Sequence, residues 1–150
     1  MKKLKFIAHS IVVALALMFT NTGVSLAAPE YRGANDILTT EDMTDPHFLS
    51  AVLQRCSGLY ASITLYENVI PEKVAEMYGI NAVKGYETAV TLLNKKHGAS
   101  NNQSKVAESI RTYTSIYYNK MQESQTLTGS LFSKWVKTEF RQCNNLLTLF

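Results

Sequence analysis

The chain has 150 residues, of which 46% are hydrophobic and 18% charged, with a formal net charge of +3 and two cysteines. That length is one domain's worth and can bury a core without a metal or several disulfides. Lys2, Lys3 and Lys5 supply the whole positive excess, and beyond them 12 basic residues face 12 acidic ones, so the charge gives no reason to expect nucleic acid or an anionic membrane as a partner.

In chain order, "MKKLKF", the apolar run from Ile11 to Phe19 and "VSLAA" have the anatomy of a secretory signal of bacterial Sec type. Ser25 and Ala27 suit the small positions before a cut, which places cleavage after Ala27. The apolar run is shorter than the ~20 residues a membrane span needs, so we expect no stable membrane anchor after signal cleavage. Residues 28–43 are polar and lack a sustained period, and read as an exposed lead-in to a helical domain over 44–150. Ile37 and Leu38 are its candidate anchors.

Four helices follow, over roughly 46–69, 72–96, 104–124 and 130–148. Thr44 or Asp45 caps the first, and Pro46 suits its opening turn, where a missing N–H is harmless. Its apolar residues Leu49, Leu53, Cys56, Tyr60 and Ile63 keep helical spacing, and Arg55 and Glu67 are nearly its only charges, which predicts burial on more than one side. Ser57, Gly58, Ala61 and Ser62 form a small-residue patch suited to close approach of a neighbouring helix. After Pro71 the second helix has Glu72 and Glu76 at its start and Lys95 and Lys96 at its end, as the helix dipole prefers, with Gly98 as its stop. Its apolar stripe is Val74, Met77, Tyr78, Ala82, Tyr86, Val90 and Leu93. The third presents Val106, Ile110, Tyr113, Tyr117 and Met121; the fourth presents Phe132, Val136, Phe140, Cys143 and Leu147. No stretch shows strand alternation with turn chemistry. The expected fold is an all-α, antiparallel up-down-up-down four-helix bundle.

Cys56 and Cys143 lie on the apolar stripes of the first and last helices. In an antiparallel bundle these positions come level to within about one helical turn. Export would place them where oxidation persists, so we expect a structural disulfide. The same register sets Tyr60 near Phe140, Ile63 near Val136 and Leu53 near Leu146. A redox pair is disfavoured because the two are not spaced C-x-x-C. A zinc site is disfavoured because His47 and His97 show no ligand spacing to the thiols. We expect no metal and no cofactor, haem included.

All eight tyrosines lie beyond the signal. Tyr60, Tyr86, Tyr113 and Tyr117, with Arg55, are the candidate lining of a ligand pocket between helices. The competing reading is a core that uses tyrosine for packing, and helical spacing alone produces such stripes; Tyr118, off its helix's stripe, is the exception. Arg55 either binds an anion or pairs with Glu139 or with a carboxylate of the second helix, since a buried charge needs a partner. Glu72 and Glu76 are one turn apart but open a helix. G-x-S-x-G, H-E-x-x-H, a Gly-rich phosphate loop and C-x-x-C-H are all missing from the sequence. "NQS" at 102–104 matches a glycan acceptor but is set aside because the Lys-rich start looks bacterial. The expectation is a periplasmic or secreted, non-enzymatic module that binds a protein partner. The alternative is a small-ligand carrier using the tyrosine-lined space.

Overall fold

A computed structural model describes residues 44–66, 68–97 and 101–150. The expected signal, its cleavage after Ala27, the lead-in at 28–43 and the stop at Gly98 lie outside the described residues. The described residues form four α-helices and no strand: α1 (Pro46–Thr64), α2 (Glu72–His97), α3 (Asn102–Thr128) and α4 (Lys134–Leu147).

The chain enters α1 through Asp45, whose side chain accepts the His47 backbone N–H at 3.0 Å, with Pro46 in the first turn. The helix ends at Thr64, five residues short of the expected 69. The Val69 and Ile70 N–H groups bond the Tyr66 carbonyl instead, forming a separate turn. Pro71 disfavours helical dihedrals at Ile70, so α1 cannot run on into α2. α3 runs four residues beyond the expected 124. Thr126 and Thr128 bond the Gln122 and Ser124 carbonyls, and Gly129 at φ 71° then caps the end, its N–H on the Gln125 carbonyl. α4 starts four residues later than expected, because the Ser133 hydroxyl accepts the Val136 N–H and so fixes the first turn.

Residue pairs give the directions. Along α1, Ser50 donates to the Ala89 carbonyl and Tyr60 stacks on Tyr78, so α2 runs antiparallel to α1. Gly58 of α1 abuts Tyr113 and Thr114, and Ser62 reaches Met121, so α3 runs parallel to α1. Tyr117 stacks on Trp135 while Ser124 bonds the Ser130 carbonyl, which turns α4 back against α3. Tyr78 meets Phe140 and the Lys84 ammonium meets the Leu147 carbonyl, so α4 follows the sense of α2. The bundle is therefore up-down-up-down.

The first helix is the hub. Leu53, Leu59, Tyr60 and Ile63 have no solvent exposure, and burying such side chains stabilises by roughly 1.5–3 kcal/mol each. Its small-residue patch allows close approach on two sides. A Cβ on Gly58 would overlap Tyr113 Cβ and lie 2.9 Å from the Thr114 backbone nitrogen, while a Cβ on Gly85 of α2 would overlap the Ser57 hydroxyl. Cys56 and Cys143 are joined by a disulfide, with Cα atoms 5.4 Å apart. It closes a loop of 87 residues in sequence, worth roughly 4–5 kcal/mol in the chain-entropy account. Tyr60 lies beside Phe140, ring centroids 6.0 Å apart, as the register requires. Ile63, Val136, Leu53 and Leu146 all belong to the same buried core.

One member of the expected α2 stripe is misplaced. Met77 is 48% exposed. The inward line of α2 runs instead through Tyr78, Ala82, Gly85 and Ala89, where small side chains let α1 come close.

Candidate functional site: a buried Arg55–Tyr117–Glu139 triad beside the disulfide

One turn of α1 positions two distinct features. Cys56 faces α4 and holds it covalently. Arg55, the neighbouring residue, is rotated by about 100° and points between α3 and α4. There its Nη2 meets Glu139 Oε2 at 2.6 Å and its Nε meets the same oxygen at 2.9 Å. The Nε also lies 2.9 Å from the Tyr117 hydroxyl, which in turn donates to Glu139 Oε2 at 2.6 Å. The triad is thus a closed triangle from three helices, with side-chain exposure of 3% at Arg55 and 2% at Glu139. Opposite charges compensate each other inside the bundle, and the tyrosine hydroxyl bridges them. Trp135 stacks on Tyr117, ring centroids 5.5 Å apart.

Of the candidate pocket residues, Arg55 and Tyr117 come together. Tyr60 sits about 140° around α1 from Arg55, stacked on Tyr78 with centroids 5.6 Å apart, its hydroxyl donating to Asn144 Oδ1 at 2.7 Å. Burial, then the neighbouring Tyr78, pushes its phenol well above the usual tyrosine value. Tyr113 is half-buried against Gly58, and Tyr86 is a half-buried flank of the core on α2. Tyr118 pairs off-stripe with Tyr66: the rings stack at 5.0 Å and the Tyr66 hydroxyl donates to the Tyr118 carbonyl at 3.0 Å. Burial and that neighbour push the Tyr66 phenol up to about 12. The two fully buried tyrosines among the described residues, Tyr60 and Tyr117, therefore have internal partners for their hydroxyls.

A separate open cleft of about 520 Å³ lies at the end of the bundle where α1 and α3 begin. It is lined by His47, Ala51 and Gln54 of α1, Leu93 of α2, and Asn102, Lys105 and Val106 of α3. No tyrosine lines it. Among the described residues no cluster of three or more His, Cys, Asp or Glu side chains is placed to hold a metal ion. No helix there is long and apolar enough to cross a membrane.

Two polar partners and one buried polar side chain were not legible in the sequence. Tyr117 as the bridge of the Arg55–Glu139 pair needs knowledge of the α1–α3 register, which sequence spacing does not supply. Asn144 as the acceptor for Tyr60 lies one residue beyond Cys143, so the disulfide register did point to that level. Gln142, 9% exposed, has neither amide end hydrogen-bonded; its i+3 spacing from Glu139 is the only sequence sign that it faces inward.

Chemically, the arrangement is a neutralised, closed hydrogen-bond cluster that locks three helices. In comparisons with known proteins, no family model, no curated protein and no solved structure matched the chain.

Proposed function

We propose that the protein is an exported, non-enzymatic accessory module that binds a partner protein through the outer face of α2. The observation that supports this reading is the pair Met77 and Ile80, one turn apart on that face and 48% and 59% exposed, with Val69 at 61% in the turn that precedes the helix. Large apolar side chains clustered in water are a feature of contact surfaces. The interior offers less to a ligand: the polar groups of the triad bond one another, and the Tyr60 hydroxyl bonds Asn144. Export rests on the secretory pattern of residues 1–27 and agrees with a disulfide between two buried cysteines.

The test is site-specific photo-crosslinking in the exporting cell. A photoreactive residue at 77 or 80 should give one discrete adduct, and the same residue at exposed Glu123 of α3 should not. Equal labelling from all three positions would contradict the reading. The small-ligand carrier remains the second reading, and its support is the cleft beside Gln54 and Lys105, not the tyrosines. Saturable protection of Lys105 from amine modification by a low-molecular-weight extract would favour it.

A further inference from the structure

The charge balance of the whole chain hides an asymmetry on α4. Lys134, Lys137 and Arg141 are all exposed and fall at i, i+3 and i+7, which sets them on one stripe roughly 10 Å long. The one acidic residue of α4, Glu139, faces inward and is bonded to Arg55 and Tyr117. The outer face of α4 therefore carries three cations and no carboxylate of that helix, and among the described residues none of the three side chains makes a hydrogen bond or an ion pair.

These charges do not serve the fold. Lys134 and Lys137 open and close the first turn of the helix, which contains no acidic residue, and there the positive end of the helix dipole disfavours cations. The face has a second feature: just past its end, Leu149 is 69% and Phe150 47% exposed. Cations along a short helix followed by exposed apolar side chains match a surface that is negative outside and apolar beneath.

We propose that the outer face of α4 docks reversibly on an anionic phospholipid surface, the three cations against headgroups and Leu149 and Phe150 at the acyl boundary. A lipid surface fits better than an acidic peptide, because a peptide's carboxylates would engage the cations but leave the exposed Leu149 and Phe150 without a counterpart. It goes beyond the α2 reading and uses a different face, so either stands without the other.

The experiment is co-sedimentation of the purified, oxidised protein with phosphatidylcholine vesicles, with and without one-third phosphatidylglycerol. The protein should partition onto the phosphatidylglycerol vesicles at about 0.05 M salt and be released at about 0.5 M, where the screening length falls below the spacing of the charges. Neutralising the stripe as Lys134→Gln, Lys137→Gln and Arg141→Gln together should weaken partitioning on the order of a hundredfold, about fivefold per cation. Leu149→Ser with Phe150→Ser should weaken it further without changing the salt dependence. Thermal melts identical to the parent's would show that the variants fold. Equal partitioning on both vesicle types, or an unchanged affinity in the triple variant, would overturn the proposal. So would salt-sensitive binding to nucleic acid with none to vesicles.

Discussion

Arg55 and Glu139 face each other across α1 and α4 at 2.6 Å, one residue along the chain from the disulfide on one side and four on the other. Two ties of different chemistry thus hold α4 onto α1 at the same level. The ionic tie is strongly directional: removing one partner leaves an uncompensated buried charge. Glu139→Ala should lower stability by about 3–5 kcal/mol. Replacing the pair together, as Arg55→Met with Glu139→Leu, should recover much of that loss. Urea midpoints of Arg55→Met, of Glu139→Leu and of the double measure it, and a double variant as weak as the sum of those singles would contradict a coupled pair.

Gly58 tests the close approach of α1 and α3. Its missing Cβ leaves room for Tyr113 Cβ and the Thr114 backbone nitrogen, neither of which a rotamer change can move. Gly58→Ala should cost about 1–3 kcal/mol by overpacking. Gly79→Ala is the contrast, since its nearest atom would be Thr64 Cγ2 at an ordinary 3.8 Å. It should stabilise by about 0.5–1 kcal/mol through helix propensity. Thermal melts of both variants should move in opposite directions.

Gln142 is buried with neither amide end bonded, and leaving such a group unsatisfied costs about 1–3 kcal/mol. Gln142→Met should therefore raise the urea midpoint. A lowered midpoint would mean that the amide has a partner in solution, such as an ordered water.

Alkaline pH should destabilise the protein in a defined window. The Tyr66 phenol is pushed up to about 12 and that of Tyr60 is also raised, burial being the first cause for both. A raised folded value means that the unfolded chain loses its protons first. The contribution is fully present below the unfolded value near ~10 and is lost as pH climbs toward 12. Urea midpoints should hold level up to about pH 9 and fall above pH 10. Phenolate absorbance should show a late-titrating fraction of the tyrosines.

The parts legible in the sequence were those set by strong local patterns. A first helix almost devoid of charge announced a buried hub, and Gly58 with its small neighbours announced close contact. The two cysteines on apolar stripes fixed the level at which α1 and α4 meet, which brought Tyr60 to Phe140. Arg55 in an uncharged helix demanded a carboxylate, and Glu139 was among the candidates. What escaped depends on relations between helices. Met77 and Tyr78 are adjacent, and apolar spacing alone could not choose between them; Gly85 and Ala89, which mark the true inner line, add little hydrophobicity. The end of α1 at Thr64 goes with the separate turn on the Tyr66 carbonyl, and the length of α3 to Thr128 with threonine hydroxyls bonding their own helix, neither of which apolar spacing records. The cations of α4 stood out only once Glu139 was seen to face inward.

The most direct measurement is the intact mass of the protein recovered from an exporting bacterial host, with peptide mapping under non-reducing conditions. The account predicts a chain beginning at Ala28, two hydrogens lighter than its reduced form, with the peptides bearing Cys56 and Cys143 linked. A chain that retains residues 1–27 and has two free thiols would contradict it.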